Sequence, residues 1–258
     1  MRLKIIFRFS IVIILLFICS VSLSSENVST KLKTTLKKLF TPKKIEVYVD
    51  ENAKDPFFKD VYIEAEDAQT SGLPLEKVEI EAIDAKLNSP DEWEKGKIKV
   101  EKVKSVKLLM TITEEGLNFF LKNKIKEANE HGLKKAYVRI KRDKFILVAS
   151  YQLGGLPIRA LVKLAGKLKI KGSKIFLSDY KFCINGLKMG KKFISRLLKK
   201  VNPILDLKTL PFPVENGIIE QEEGKITIRT KELPKKPESL QRSNNLSPSH
   251  IGNQRFGY

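Results

Sequence analysis

The side chains able to do chemistry are few in this sequence, and they stand apart. Only two histidines occur, His131 and His250. A metal site needs several His, Cys, Asp or Glu residues converging at short spacing, and no such spacing is written here. A Ser-His-Asp hydrolase would need His131 as its base, and no Gly-x-Ser-x-Gly turn exists to present the serine. Carboxylates pair at Glu114-Glu115 and Glu222-Glu223. The first pair falls at a helix start and the second at a hairpin tip. Both places are open to water and lack the burial that acid–base catalysis exploits. "GLKMGKK", from Gly186 to Lys192, has the glycines and lysines of a phosphate loop. A P-loop ends in Gly-Lys-Ser/Thr, however, and here Phe193 and Ile194 follow. Cys183 lies inside an alternating stretch, where a small apolar filler is the plain reading. No catalytic residue, metal ligand or cofactor is assigned, and the chain reads as a non-enzyme.

The elements that would have positioned a site carry apolar residues instead. "NVSTKLKTTLKKLF", Asn27 to Phe40, places Leu32, Leu36, Leu39 and Phe40 on one side and its lysines elsewhere. That is a basic amphipathic helix, either capping the domain or touching a membrane surface. Strands follow. Ile45, Val47 and Val49 alternate, as do Val61, Ile63 and Ala65. "VEIEAIDAKL" sends Val78, Ile80 and Ala82 inward and then changes phase to Ile83, Ala85 and Leu87, which predicts a bulge or bend. One long strand is predicted from Lys97 to Thr113, with Val106, Leu108, Met110 and Ile112 alternating.

Thr113 is then an N-cap candidate, and Glu114 and Glu115 suit the positive end of a helix. Leu117, Phe120, Leu121, Ile125 and Ala128 form that helix's stripe, and Gly132 is a C-cap signal. A hairpin turns at Arg142-Asp143. Two more strands alternate through Ala160, Val162, Leu164, Gly166, Leu168 and Ile170, then through Phe176, Tyr180, Phe182 and Ile184. A second helix is predicted from about Leu187 to Val201, with Met189, Phe193, Ile194, Leu197, Leu198 and Val201 on its apolar face. The last hairpin pairs Val214–Glu220 with Lys225–Thr230. From Lys231 onward the sequence has no period and reads as a disordered tail.

Charge and the first residues bear on compartment and partner. The 258 residues carry 49 Lys+Arg against 30 Asp+Glu, a formal charge of +19. Lysine supplies most of it along the strands, which reads as a diffuse field attractive to anionic partners. Arg2, Lys4 and Arg8 precede an apolar run from Phe9 to Leu23 and then small serines, the order of an export signal. The expected organisation is a signal or N-terminal anchor over residues 1–25, a basic helix over 26–41, one domain over 42–230 and a tail over 231–258. The expected location is the periplasm or cell envelope.

Three stretches together carry a resemblance. They are "PLEKVEIEAIDAKL", "TITEEGLNFFL" and "NPILDLKTLPFPVENGIIEQEEGKITI". Their ordered features resemble the LmeA-like phospholipid-binding proteins of bacterial cell envelopes. The matching residues are Thr113, Glu114, Glu115, Leu117 and Asn118 at the helix start, then Asn202, Pro203, Asp206, Leu210, Pro211 and Phe212 before the closing hairpin. The lysine load and the polar tail depart from the pattern. The resemblance implies an α+β fold, similar to tubular lipid-binding folds: a long curled antiparallel β-sheet, half-barrel or barrel, around amphipathic helices. It also implies phospholipid binding without catalysis.

On that reading Leu117, Phe120 and Leu121 form a groove floor. Val106, Leu108, Met110 and Ile112 form one wall, and Phe193, Ile194 and Leu197 form the other. The same residues could instead pack on one another as solid core. The expected partners are phospholipid and an anionic membrane surface, for a monomer. Nucleic acid is set aside because the aromatic residues fall mostly on inward positions. The competing function is an envelope structural or adaptor protein that binds protein or acidic glycan through its basic surface.

Overall fold

The computed structural model describes residues 27–50, 56–70, 72–93, 95–128, 133–152, 159–190 and 203–243. The first helix, α1 (Val28–Phe40), starts on Asn27, whose side chain accepts from the Ser29 N–H at 3.1 Å. Leu32, Leu36 and Phe40 are fully buried, while Lys37 and Lys38 face water. The apolar stripe is therefore spent on the core, and the helix caps the domain.

Beneath it lies the first antiparallel sheet. It contains β1 (Lys44–Val49), β2 (Phe57–Thr70), β3 (Leu73–Leu87), β4 (Val100–Lys102), β5 (Ser105–Thr113), β12 (Ile218–Glu222) and β13 (Lys225–Arg229). The order is β1-β2-β3-β5-β13-β12, with β4 pairing on β3. The phase change predicted in β3 is present. Asp84 sits at φ 49° between buried Ala82 and buried Ala85, and Asp67 does the same on β2 at φ 47°. Aspartate tolerates this left-handed conformation better than most residues do. The β2–β3 pairing keeps one register through both positions, so the two strands flip together and no residue is left over.

The single strand expected from Lys97 to Thr113 is two strands, parted at Val103-Lys104. There the pairing with β3 slips at Lys86/Leu87, and the Lys104 N–H bonds the Ile83 carbonyl. A short helix, α2 (Pro90–Trp93), was not foreseen. Its Trp93 is fully buried, tilted against Phe58 with ring centroids 6.2 Å apart, and donates to Asn88 Oδ1 at 3.0 Å.

The chain leaves the first sheet at Thr113, runs through α3 (Glu114–Ala128), and builds a second sheet. This holds β6 (Leu133–Lys141), β7 (Lys144–Gln152), β8 (Arg159–Lys171), β9 (Lys174–Ile184) and β10 (Leu187–Lys188), in the order β10-β9-β8-β7-β6. β11 (Leu205–Asp206) pairs with β9 and leads through a 3-10 turn, Leu207–Thr209, back toward the first sheet. On β9 the residues taken to point inward need correcting. Ile175 and Leu177, not Phe176, are buried. A bulge at Asp179, φ 48°, then flips the strand so that Phe182 becomes buried. Gly166 faces this bulge, and a Cβ there would lie 2.6 Å from the Ser178 carbonyl oxygen. Leu187, expected to open a helix, is in strand β10 and is 73% exposed. Lys188 is in β10 too, Met189 and Gly190 are not helical, and from position 191 on that predicted helix, including Phe193, Ile194 and Leu197, lies outside the described residues.

Among the described residues two sheets, and no closed barrel, replace the single curled sheet expected. The reason is local to β6, the edge strand. The Val138 N–H donates to Asn118 Oδ1 at 2.7 Å, and Asn118 Nδ2 donates to the Val138 carbonyl at 3.1 Å. The Ile140 N–H donates to Glu114 Oε2 at 2.7 Å, and the Ile140 carbonyl accepts from the Gly224 N–H at 3.1 Å. Side chains of α3 and a hairpin turn thus occupy the bonds that a closing strand would need.

Residues from Lys231 to Ser243 are not structureless. They cross the outer face of the first sheet and end in α4 (Glu238–Ser243). Lys236 Nζ lies 2.5 Å from Glu46 Oε2 and 3.0 Å from Glu64 Oε2, and the Lys235 N–H donates to Glu81 Oε2 at 2.7 Å. Residues 244–258 lie outside the described residues.

Candidate functional site

The start of α3 shows how a short motif positions a site. Thr113 Oγ1 caps the helix by accepting from the Gly116 N–H at 3.0 Å. Glu114 and Asn118 fasten the helix to β6, as described above. Gly116 meets Pro74, where a Cβ would come within 3.3 Å of the proline ring. These anchors hold α3 along the gap between the sheets. Its stripe, Leu117, Phe120, Leu121 and Ile125, is only half-buried, and none of its described side chains is fully buried. A helix with a greasy face and tight polar anchors has been kept from collapsing onto its neighbours.

The space left is a cavity of about 410 Å³. Its floor is Leu117, Phe120 and Leu121 on α3. The first sheet contributes Met110 and Ile112 of β5 and Ile226 and Ile228 of β13. The second sheet contributes Val138, Phe145, Leu147, Leu164, Leu168, Ile175 and Leu177. Ile204, Leu205 and Leu210 close one side, and Leu73 and Thr70 the end of the β2–β3 hairpin. Thr70 is the one polar residue among these nineteen. Ile204, one of these lining residues, is 44% exposed. The lining holds no carboxylate, imidazole, thiol or amine side chain. Among the described residues no three His, Cys, Asp or Glu side chains gather as metal ligands would, and no helix is long and apolar enough to cross a membrane.

Of the residues singled out from sequence, Met110, Ile112, Leu117, Phe120 and Leu121 meet around this space. Leu108 is fully buried and Val106 partly buried, both packed in the core away from the cavity. Phe193, Ile194 and Leu197, expected as the second wall, lie outside the described residues; among the described residues β7, β8 and β9 line the cavity on the side of the second sheet. Their inward residues were read as strand faces without a destination. The signal that could have found them is the strict alternation of Leu164 and Leu168 against outward lysines.

The model of the LmeA-like phospholipid-binding family matches residues 28–231. The chain belongs to that family. Comparison with characterised proteins and with solved structures returns no match. Membership gives the LmeA-like motif residues a physical meaning in this fold. Thr113, Glu114 and Asn118 end the sheet and hang the helix, while Leu117 between them faces the cavity. Asp206 caps the 3-10 turn by accepting from the Lys208 N–H at 3.0 Å and from Ser173 Oγ at 2.8 Å. The Lys208 N–H, with Ser173, holds the Asp206 carboxyl below its ordinary range. Behind it Leu207 and Phe212 are fully buried, and Leu210 reaches the cavity. The LmeA-like match ends where the strap over the outer face begins.

The outer face of the first sheet is built differently. Glu46, Glu64 and Glu79 stand opposite one another across β1, β2 and β3. Like charges placed so would repel, but cations lie between them. Lys77 Nζ is 2.5 Å from Glu79 and 3.3 Å from Glu64, and Lys236 completes the row. Burial alone would raise the Glu64 pKa, yet the bonds from Lys236 and Lys77 outweigh it and hold the group below the usual glutamate value. Lys107 is buried and lies 3.0 Å from buried Glu81.

Proposed function

We propose that this protein is an exported, non-enzymatic phospholipid-binding protein of the cell envelope, serving as a lipid carrier or assembly factor. The observation that carries the reading is the cavity, whose lining is apolar but for Thr70. A methylene group needs on the order of 30 Å³, about the liquid share of one water molecule. The cavity therefore matches roughly one acyl chain. Burial of each methylene stabilises by about 0.8 kcal/mol, so a chain of ordinary length gains enough to offset the cost of immobilising it. A lining with one hydroxyl and no charge suits a hydrocarbon tail and leaves the headgroup outside, on the side of exposed Ile204.

Native mass spectrometry of the purified full chain tests this. Co-purified phospholipid, or uptake from vesicles into protein stripped by organic extraction, is the expected result. A protein that stays lipid-free and ignores vesicles would favour the envelope adaptor reading instead.

A further inference from the structure

The positive charge is not diffuse. From Leu133 to Gly190, the segment that forms β6 to β10, 14 Lys and Arg stand against two acids, Asp143 and Asp179. From Lys44 to Thr113, most of the first sheet, 11 Lys and Arg stand against 16 Asp and Glu. We propose that the outer face of the second sheet docks on an anionic phospholipid bilayer and holds the cavity behind it against that surface.

The face is built for such a contact. The outward positions of β8 are exposed Arg159, Leu161, Lys163, Lys167, Lys169 and Lys171, and β9 adds exposed Lys181. Asp179, the acid on this face, is 2.9 Å from Lys169 and so does not oppose an anion freely. One large apolar side chain stands clear among the cations, Leu161 at 52% exposure; Leu187 falls on the other side of the sheet, in line with Ile184 and Val162. Leu161 is held at the β9–β10 turn, because Asn185 accepts from the Leu161 N–H and donates to its carbonyl, both at 2.8 Å. Cations beside an exposed leucine match headgroups above hydrocarbon.

A single-stranded nucleic acid would want exposed aromatic platforms. The aromatics on this face, Tyr137 and Phe176, are half-buried. The inner side of the same strands carries Leu147, Leu164 and Leu177 of the cavity. The outer face of the first sheet is acidic and strapped by Lys235 and Lys236, so it would turn away from an anionic surface. The proposal rests on the phospholipid reading for its purpose but not for the docking itself.

The test is flotation of the full chain with vesicles of phosphatidylcholine alone, or with phosphatidylglycerol added. Binding is expected only to the anionic vesicles. Reversing Lys163, Lys167 and Lys181 to Glu should weaken it about tenfold or more, since each such cation contributes measurably near a charged surface. Reversing Lys95, Lys97 and Lys99 to Glu, beside the first sheet, gives the same net charge and should change it little. Replacing Leu161 with Ser keeps every charge and should still weaken binding severalfold, which guards against misfolding of the charge variant. Equal loss in both charge variants, no binding to anionic vesicles, or binding to single-stranded nucleic acid in their place would overturn the proposal. A chain that docks on vesicles yet is lipid-free by native mass spectrometry would defeat the carrier reading and leave the docking face standing.

Discussion

Helices α1 and α3 have the same kind of sequence, lysine-rich with one apolar stripe, and the fold treats them oppositely. The stripe of α1 is sealed: Leu32, Leu36 and Phe40 are fully buried, with Trp93 and Phe58 completing that end. The stripe of α3 stays half-open to a cavity. The difference lies in how each helix is attached. α1 is bound along its length by side-chain packing, so it sinks until the gap is filled. α3 is hung by polar bonds from Thr113, Glu114 and Asn118, which set its distance from the sheets before its leucines can close it. A helix held by caps and clamps can border a void that a helix held by packing cannot.

The largest test of that contrast is truncation at the two helices. Phe40→Ala should destabilise by about 3–5 kcal/mol in urea unfolding, because a sealed site leaves a cavity behind. Leu121→Ala should cost less than about 1 kcal/mol, because its side chain already borders open space, and should instead reduce retained lipid in native mass spectrometry. Equal costs at both positions would break the contrast.

Next in size is the clamp itself. Asn118→Ala leaves the Val138 N–H and carbonyl without their partners and should cost about 1–3 kcal/mol. Hydrogen exchange at Val138 should quicken relative to Ile140, which keeps Glu114.

Smaller again is the strap. Lys236→Ala should cost about 1 kcal/mol at neutral pH. The sign with pH follows from Glu64, whose pKa is lowered by folding. Its contribution is present above the unfolded glutamate value, about 4.3, and is lost as pH falls through the lower folded value. The gap between wild type and Lys236→Ala should therefore be full at neutral pH and vanish in acid, as read from unfolding midpoints across pH.

The smallest effect on stability should come from filling the void. Leu147→Phe adds volume where volume is missing and should shift stability by under about 1 kcal/mol. Bound lipid should fall nonetheless, since the chain's space is taken.

Much of this was readable in the residues. Thr113 caps its helix, the hairpin turns at Arg142-Asp143, and β3 changes phase where predicted. The charge split between the sheets was also countable, although the chain total hides it. Other features were not readable. Phe176 was placed inward because a left-handed Asp179 cannot be told from an ordinary strand aspartate by alternation. Trp93 and α2 occupy one turn, too short for a period to show. Lys231–Ser243 has no period either, and it is ordered by charges on strands far away in sequence.

The sequence by itself determined which faces are apolar and where α1 and α3 start, since these depend on side-chain type and near spacing. Only the tertiary structure decided that the chain makes two sheets rather than one curled sheet, and that one apolar face is sealed while another opens on a cavity. Those outcomes turn on distances between residues far apart in the chain. A bond from Glu114 to the Ile140 amide, or from Asn118 to Val138, is invisible until the helix and the strand edge are brought together.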